Sequence, residues 1–274
     1  MLVDTHCHLN FDSFEGERKE LLQRAREAGV TFILNPGVDL ESSREAVALA
    51  EKYEEVYAAV GVHPNDALSW KEGTREELRE LSQHPKVLAI GEIGLDYYRD
   101  RAPEAEQKKI FQEQLLLAME VELPVIIHTR DASREDRRAT ADVLGILNEW
   151  QTGLAGSDTL LSENPGVLHS FSADEQSAFD AIHMNFMIGI TGPVTFLNAP
   201  ELQRLVAALP LERVLTETDA PFLTPHPHRG ERNEPAYVRL VAEKIAQLHN
   251  LPPDVVADIT AENAGRLFHW RVIP

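Results

Sequence analysis

Eight short β-rich runs, each followed by a longer stretch of helical periodicity, are the feature that most constrains this chain. The runs are Leu2 to Thr5, Thr31 to Asn35, Val56 to Val62, Val87 to Ile90, Val125 to His128, Gly166 to His169, Phe186 to Ile190 and Val214 to Glu217. The intervening helices are expected near 17–28, 40–53, 74–81, 105–121, 134–150, 175–183 and 200–208, and two more, near 237–249 and 253–268, close the chain. Strands that alternate with helices pair in parallel through right-handed crossovers. Eight such units in 274 residues predict a closed (β/α)8 TIM barrel, with an open doubly wound sheet as the competitor. The units use up the whole chain, so 1–274 is expected to be one domain. The loosest segment, 151–165, reads as a loop insertion.

Composition narrows the class. The chain has 26 Lys and Arg against 45 Asp and Glu, a formal charge of −19. That is too acidic for broad coating of duplex DNA, where cations must neutralise phosphates. The hydrophobic content of 43% argues against disorder. A single cysteine, Cys7, excludes an internal disulfide and a cysteine-rich zinc module, and reads as a small buried hydrophobe. With no apolar run near 20 residues and no leader pattern, the expectation is a cytoplasmic protein without a membrane partner, and a monomer is favoured.

Histidines and carboxylates fall at strand ends. His6 and His8 close the first run; residues i and i+2 of an extended chain point to one side, so both imidazoles can face one ion. His63 follows the third run, Glu92 and Asp96 the fourth, and Asp219 the eighth, while His128 and His169 end the fifth and sixth. In a barrel these converge on the C-terminal mouth. His6, His8, Glu92, His128, His169 and Asp219 are the candidate metal ligands. A structural zinc site closes with four ligands; six fit two ions with one carboxylate bridging. Imidazole mixed with carboxylate suits Zn, Mn or Fe, and Mg where water completes its shell. A lone strand-end histidine is more often a packing or capping residue; the joint pattern is what points to metal. His84, His183, His249 and His269 read as surface residues.

The segments VDTHCHL at 3–9, GVHPND at 61–66, IGEIGLDYYRD at 90–100, PVIIHTRDA at 124–132, VLHSFSAD at 167–174, GPVTFLNAPEL at 192–202 and LTETDAPFLTPHPHRGERNEPAYV at 215–238 resemble the TatD-type metal-dependent deoxyribonucleases, a branch of the amidohydrolase-like barrels. The resemblance runs in order along essentially the full length. It implies a two-metal centre with divalent ions (Mg²⁺, Mn²⁺ or Zn²⁺) and hydrolysis of phosphodiesters. It implies His6, His8 and Asp219 on one ion, His128 and His169 on the other, Glu92 bridging, and His63 near the metals facing the substrate phosphate. Ser170 stands where many members have Cys, and Phe222 where Tyr is common.

On this reading Asp219, Glu92 and His63 carry catalysis. Asp219 orients or deprotonates the attacking water, and His63 stabilises phosphate charge or assists the leaving oxygen. Arg130 and Arg229 are candidate phosphate clamps beside His63, because a guanidinium fork matches phosphate oxygens; an ordinary loop ion pair is the bland alternative for each arginine. Tyr97, Tyr98 and Phe222 are candidates for stacking a base, and His226 and His228 for touching substrate. The expected activity is 3′→5′ exonuclease action on single-stranded or frayed DNA ends, or on a small phosphodiester. Hydrolysis of a cyclic amide, lactone or ester, and a non-catalytic metal scaffold, are the alternatives.

Overall fold

The computed structural model describes residues 1–99, 101–154 and 159–270. Its strands are β1 (Leu2–Asp4), β2 (Val30–Pro36), β3 (Val56–Val60), β4 (Val87–Asp96), β5 (Val125–Arg130), β6 (Gly166–Leu168), β7 (Met187–Ile190) and β8 (Val214–Thr216). They form one parallel sheet in sequential order. The ring closes between the first strand and the last: Thr5 N donates to Thr216 O at 3.1 Å, and Thr216 Oγ1 donates to Val3 O at 3.0 Å. The helices are α1 (Arg18–Glu27), α2 (Leu40–Lys52), α3 (Thr74–Ser82), α4 (Glu104–Val121), α5 (Arg138–Leu154), α6 (Glu175–His183), α7 (Pro200–Ala208), α8 (Val238–His249) and α9 (Pro253–Phe268). This is the (β/α)8 barrel expected from the alternation of periodicities.

Local chemistry starts and stops the helices. Asp39 and Ser42 form a reciprocal capping box at the start of α2. The Asp174 carboxylate accepts from Ser177 N at 2.9 Å to cap α6, and Asn250 ends α8 in the left-handed conformation. Inside the ring, Val3, Phe32, Ala59, Ala89, Ile126, Val167, Met187 and Leu215, at least one from each strand, pack together with Ala261, Ala264, Leu267 and Phe268 of α9. Helix α9 therefore plugs the end of the barrel remote from the histidines. A second, larger apolar layer lies between strands and helices.

Three local differences from the sequence reading have physical causes. β4 does not stop at Ile90 but continues to Asp96, so Glu92 and Asp96 lie within the strand. Gly91 and Gly94 obscure this in the sequence, since glycine is a poor strand former. Gly94 is required because it sits beside His128 in the ladder, where a Cβ would overlap the His128 carbonyl. Of the supposed loop 151–165, residues 151–154 are the last turn of α5 and Leu160–Ser162 a short 3-10 turn, while 155–158 lie outside the described residues. His183 and His269 are exposed, but His84 and His249 are half-buried, and His249 Nε2 lies 2.8 Å from Val206 O, where its N–H can donate.

The seam between β1 and β8 is held by a buried acid. Asp4 is fully buried; its Oδ1 accepts from Thr218 N at 2.9 Å and His6 N at 3.3 Å, and its Oδ2 lies 2.6 Å from Thr218 Oγ1. Burial pushes its pKa up to about 8, against the hydrogen bonds from Thr218. A folded-state pKa above the unfolded value means that stability falls as pH rises from about 4 to about 8. Asp4→Asn, which mimics the neutral acid, is expected to keep the fold and to flatten this dependence, as read by urea denaturation of chelated protein at pH 5 and 8. Asp4→Ala, which leaves Thr218 and His6 donors unpaired, is expected to cost about 1–3 kcal/mol.

Candidate metal centre

Two groups of donor atoms meet at the mouth of the barrel and share one carboxylate. In the first, His6 Nε2 and His8 Nε2 are 3.2 Å apart. Glu92 Oε2 lies 3.4 and 3.6 Å from them, and Asp219 Oδ1 3.8 and 3.5 Å. In the second, Glu92 Oε1 faces His128 Nδ1 at 2.7 Å, with His169 Nε2 and His63 Nε2 each at 3.8 Å. The two oxygens of Glu92 thus face opposite groups. Local structure explains the convergence: β1 ends at Asp4, the chain bends at Thr5, Cys7 bridges to Ala220, and Asp219, with φ of 55°, donates its N–H to His6 O at 2.8 Å.

The residues fit a cation. Ligands about 2.1 Å from one ion stand roughly 3–3.5 Å from one another. Glu92 and His6 are buried, and no Lys or Arg makes an ion pair with Glu92 or Asp219 among the described residues. Four electron-rich atoms aimed at one point need positive charge there. His6, His8 and Glu92 form one cluster able to hold a metal, and His63, Glu92 and His128 another.

Further carboxylates orient the imidazoles. His169 Nδ1 lies 3.0 Å from Glu217 Oε2, and His128 Nε2 lies 3.3 Å from Asp96 Oδ2. Each contact places a proton on the outer nitrogen and leaves the inner one free to coordinate. Glu217 reaches His169 only because residue 189 is glycine; a Cβ there would overlap the carboxylate. The sequence reading assigned no role to Glu217 and placed Asp96 at the mouth without a function. Glu217 stands two residues before Asp219, but nothing in that spacing shows that it turns toward β6.

Electrostatics follow the geometry. Burial disfavours the charged form of Glu92, but the charge of His6 and the hydrogen bonds with His128 and His6 outweigh it, so its pKa is well below the ordinary carboxylate range. Asp96 is likewise held at about 2, the hydrogen bond with His128 overcoming burial. His128 and His169 are pushed up to about 9, their carboxylate neighbours overcoming burial. His63 is pushed down to about 3 by burial and by the charge of His128. Its Nδ1 accepts from Asn65 N at 3.1 Å. A neutral His63 therefore carries its proton on Nε2, the nitrogen that faces the site.

A cavity of about 700 Å³ opens above the donors. Of the candidate substrate residues, His63, Arg130, Tyr98 and Phe222 are near it in different ways: the first two and Phe222 line it, and Tyr98 lies under Arg130, with the guanidinium 4.1 Å from the ring centre. Arg229 is not brought to the cavity; it lies 4.3 Å over Phe196. Tyr97 turns away and donates to Asp142 at 2.7 Å. His228 stacks on Tyr237 at 4.4 Å, and His226 is exposed. Arg99 and Arg101 line the cavity instead, and the sequence reading missed both.

The barrel and this donor set define the class, a metal-dependent hydrolase. The family model described as "TatD related DNase" matches residues 3–269, and the chain belongs to the TatD family. It is 44% identical to the uncharacterized metal-dependent hydrolase YabD of Bacillus subtilis, over 98% of this chain and 99% of that one. It is 37% identical to the 3′-5′ ssDNA/RNA exonuclease TatD of Cronobacter sakazakii, over 97% of each. Among solved structures, the Escherichia coli TatD homologue YjjV matches with a TM-score of 0.88 at 32% identity, covering 98% of both chains.

Two outcomes are expected. Because His128 and His169 are protonated at neutral pH without metal, coordination must displace those protons, and the affinity for Mn²⁺ should rise from about pH 6.5 to 9. Calorimetry at pH 7 in buffers of different ionisation enthalpy should count about two protons released. Gly189→Ala, by displacing Glu217 from His169, should weaken Mn²⁺ binding about 10–100-fold while the far-ultraviolet circular dichroism is retained.

Proposed function

We propose that this protein removes nucleotides from the 3′ end of single-stranded DNA by hydrolysing phosphodiester bonds, with two divalent ions held by His6, His8, Glu92, His128, His169 and Asp219. The observation that carries the reading is the division of Glu92 between two donor groups beneath an open cavity. The named exonuclease relative supports it.

Cations in such a centre lower the pKa of an attacking water and neutralise charge on the phosphate. The protein's own groups do the rest. Asp219 Oδ1 faces His6, His8 and His169, and its side chain remains 14% exposed to the mouth, so the carboxylate can accept a proton from water there. Its pKa is low because hydrogen bonding with His8 and the charge of His169 outweigh burial, which keeps it an anion at neutral pH. Neutral His63, with its proton on Nε2, donates a hydrogen bond to a phosphate oxygen or to the leaving oxygen. Phe11 and Phe222, 6.0 Å apart on one flank, offer an unpaired base an aromatic ledge. A duplex end has to fray before a base reaches that ledge.

Loaded with Mg²⁺ or Mn²⁺, the protein should shorten a 5′-labelled single strand stepwise from its 3′ end, and Glu92→Ala should slow this at least about a hundredfold. An intact strand, or a variant as fast as the parent, overturns the reading. The charge of −19 limits the number of phosphates engaged. The slope of log affinity against log salt should therefore be no steeper than about −2 to −3, the value for three or four phosphates of a single strand.

A further inference from the structure

The arginines of this acidic chain are not alike. Arg24, Arg26, Arg44 and Arg137 each hold a carboxylate. Arg99, Arg101 and Arg130 are exposed, line the cavity, and make no ion pair among the described residues. Asp66, which also lines the cavity, feels the charge of Arg101 but makes no ion pair with any of the three among the described residues.

Two of the three, Arg99 and Arg130, are placed by the same carboxylate that orients a metal donor. Asp96 Oδ1 accepts from Tyr98 N at 2.9 Å and Arg99 N at 3.0 Å, which fixes the turn after β4. Asp96 Oδ2 accepts from Asn65 Nδ2 at 3.0 Å and faces His128 Nε2 at 3.3 Å. Arg130 is the ladder partner of Asp96, and its carbonyl accepts from Tyr97 N at 2.9 Å. The guanidinium carbons of Arg130 and Arg99 lie 4.1 and 5.9 Å from the centre of one ring, Tyr98. Two like charges gathered on one ring repel, and an anion between them relieves the repulsion. Among the described residues the positive charge of the cavity lining is confined to this flank; Phe11, Phe222 and Leu223 line the cavity without a charge of their own. A strand end lying across the mouth would meet aromatic surface on one side of the donors and cations on the other.

We infer that Arg99, Arg101 and Arg130 form a second anion subsite beside the metal centre, which takes the phosphate one linkage inward from the scissile one. The inference rests on the phosphodiesterase reading for the identity of the scissile bond. It makes an oligonucleotide, with two successive phosphates, a better ligand than a lone phosphodiester.

The test uses metal-loaded protein and a thymidine trinucleotide whose terminal linkage is a non-hydrolysable methylene phosphonate. The inner linkage is either phosphate or neutral methylphosphonate. Calorimetry gives four dissociation constants, for the parent and for Arg99→Ala/Arg130→Ala with each probe. Neutralising the inner linkage should weaken binding to the parent about tenfold and to the variant less than twofold. Arg99→Lys/Arg130→Lys, which keeps the charge but loses the fork, should show an intermediate loss. Equal losses in parent and double alanine variant, indifference of the parent, or no binding by the parent would overturn the subsite. Cleavage of the natural trinucleotide is followed in parallel. A parent that cleaves but shows no arginine-dependent difference overturns the subsite alone. A parent that shows the difference but does not cleave overturns the phosphodiesterase reading and leaves the subsite standing.

Discussion

One buried carboxylate organises the mouth of this barrel. Glu92 has two oxygens and five imidazoles within reach, and it divides them between its two sides. A carboxylate in that position is stable only because positive charge surrounds it, whether protons on histidines or cations between them. Burial works to neutralise it, and its neighbours win. The extension of β4 past Ile90 and the glycines on either side of residue 92 exist to bring this group inside the ring.

Around that group the acids form a graded series set by what each one touches. Asp4 is buried among neutral donors and favours the protonated form. Glu92 and Asp219 are buried among imidazoles and favour the anion. Asp96 is half committed to a histidine and half to the backbone of a turn. Four carboxylates at one end of one barrel thus fall into three electrostatic settings, distinguished by hydrogen-bond partners more than by depth.

The fold and the inner donors were legible in the sequence because both obey short-range rules. Period-two runs followed by period-3.6 stretches mark the strand and helix units, and His-x-His after an apolar run fixes the direction of two side chains. The orienting partners were not legible. Glu217 approaches His169 across 48 residues, through a gap that depends on the missing side chain of Gly189. Arg99 enters the cavity where the Asp96 carboxylate turns the chain after β4, a local bond that residue type alone does not announce. Arg229 shows the opposite case: its loop is rich in proline and charge, and the guanidinium lies over Phe196, away from the cavity lining. The end of β4 was hidden by glycine, whose presence argues against a strand until its close approach to β5 is seen.

The closure of the ring has a consequence for how the molecule comes into being. His6 and His8 arrive with the first strand and Asp219 follows the last, with Thr5 and Thr216 bonded across 211 positions of chain. Bringing such distant segments together carries a large loop-closure cost. A cation held by both ends would act as a clasp, rewarding the final join and leaving earlier, open forms of the chain unrewarded. The donor set at the mouth is complete only once both ends of the chain have met: a barrel left open at its seam parts His6 and His8 from Asp219.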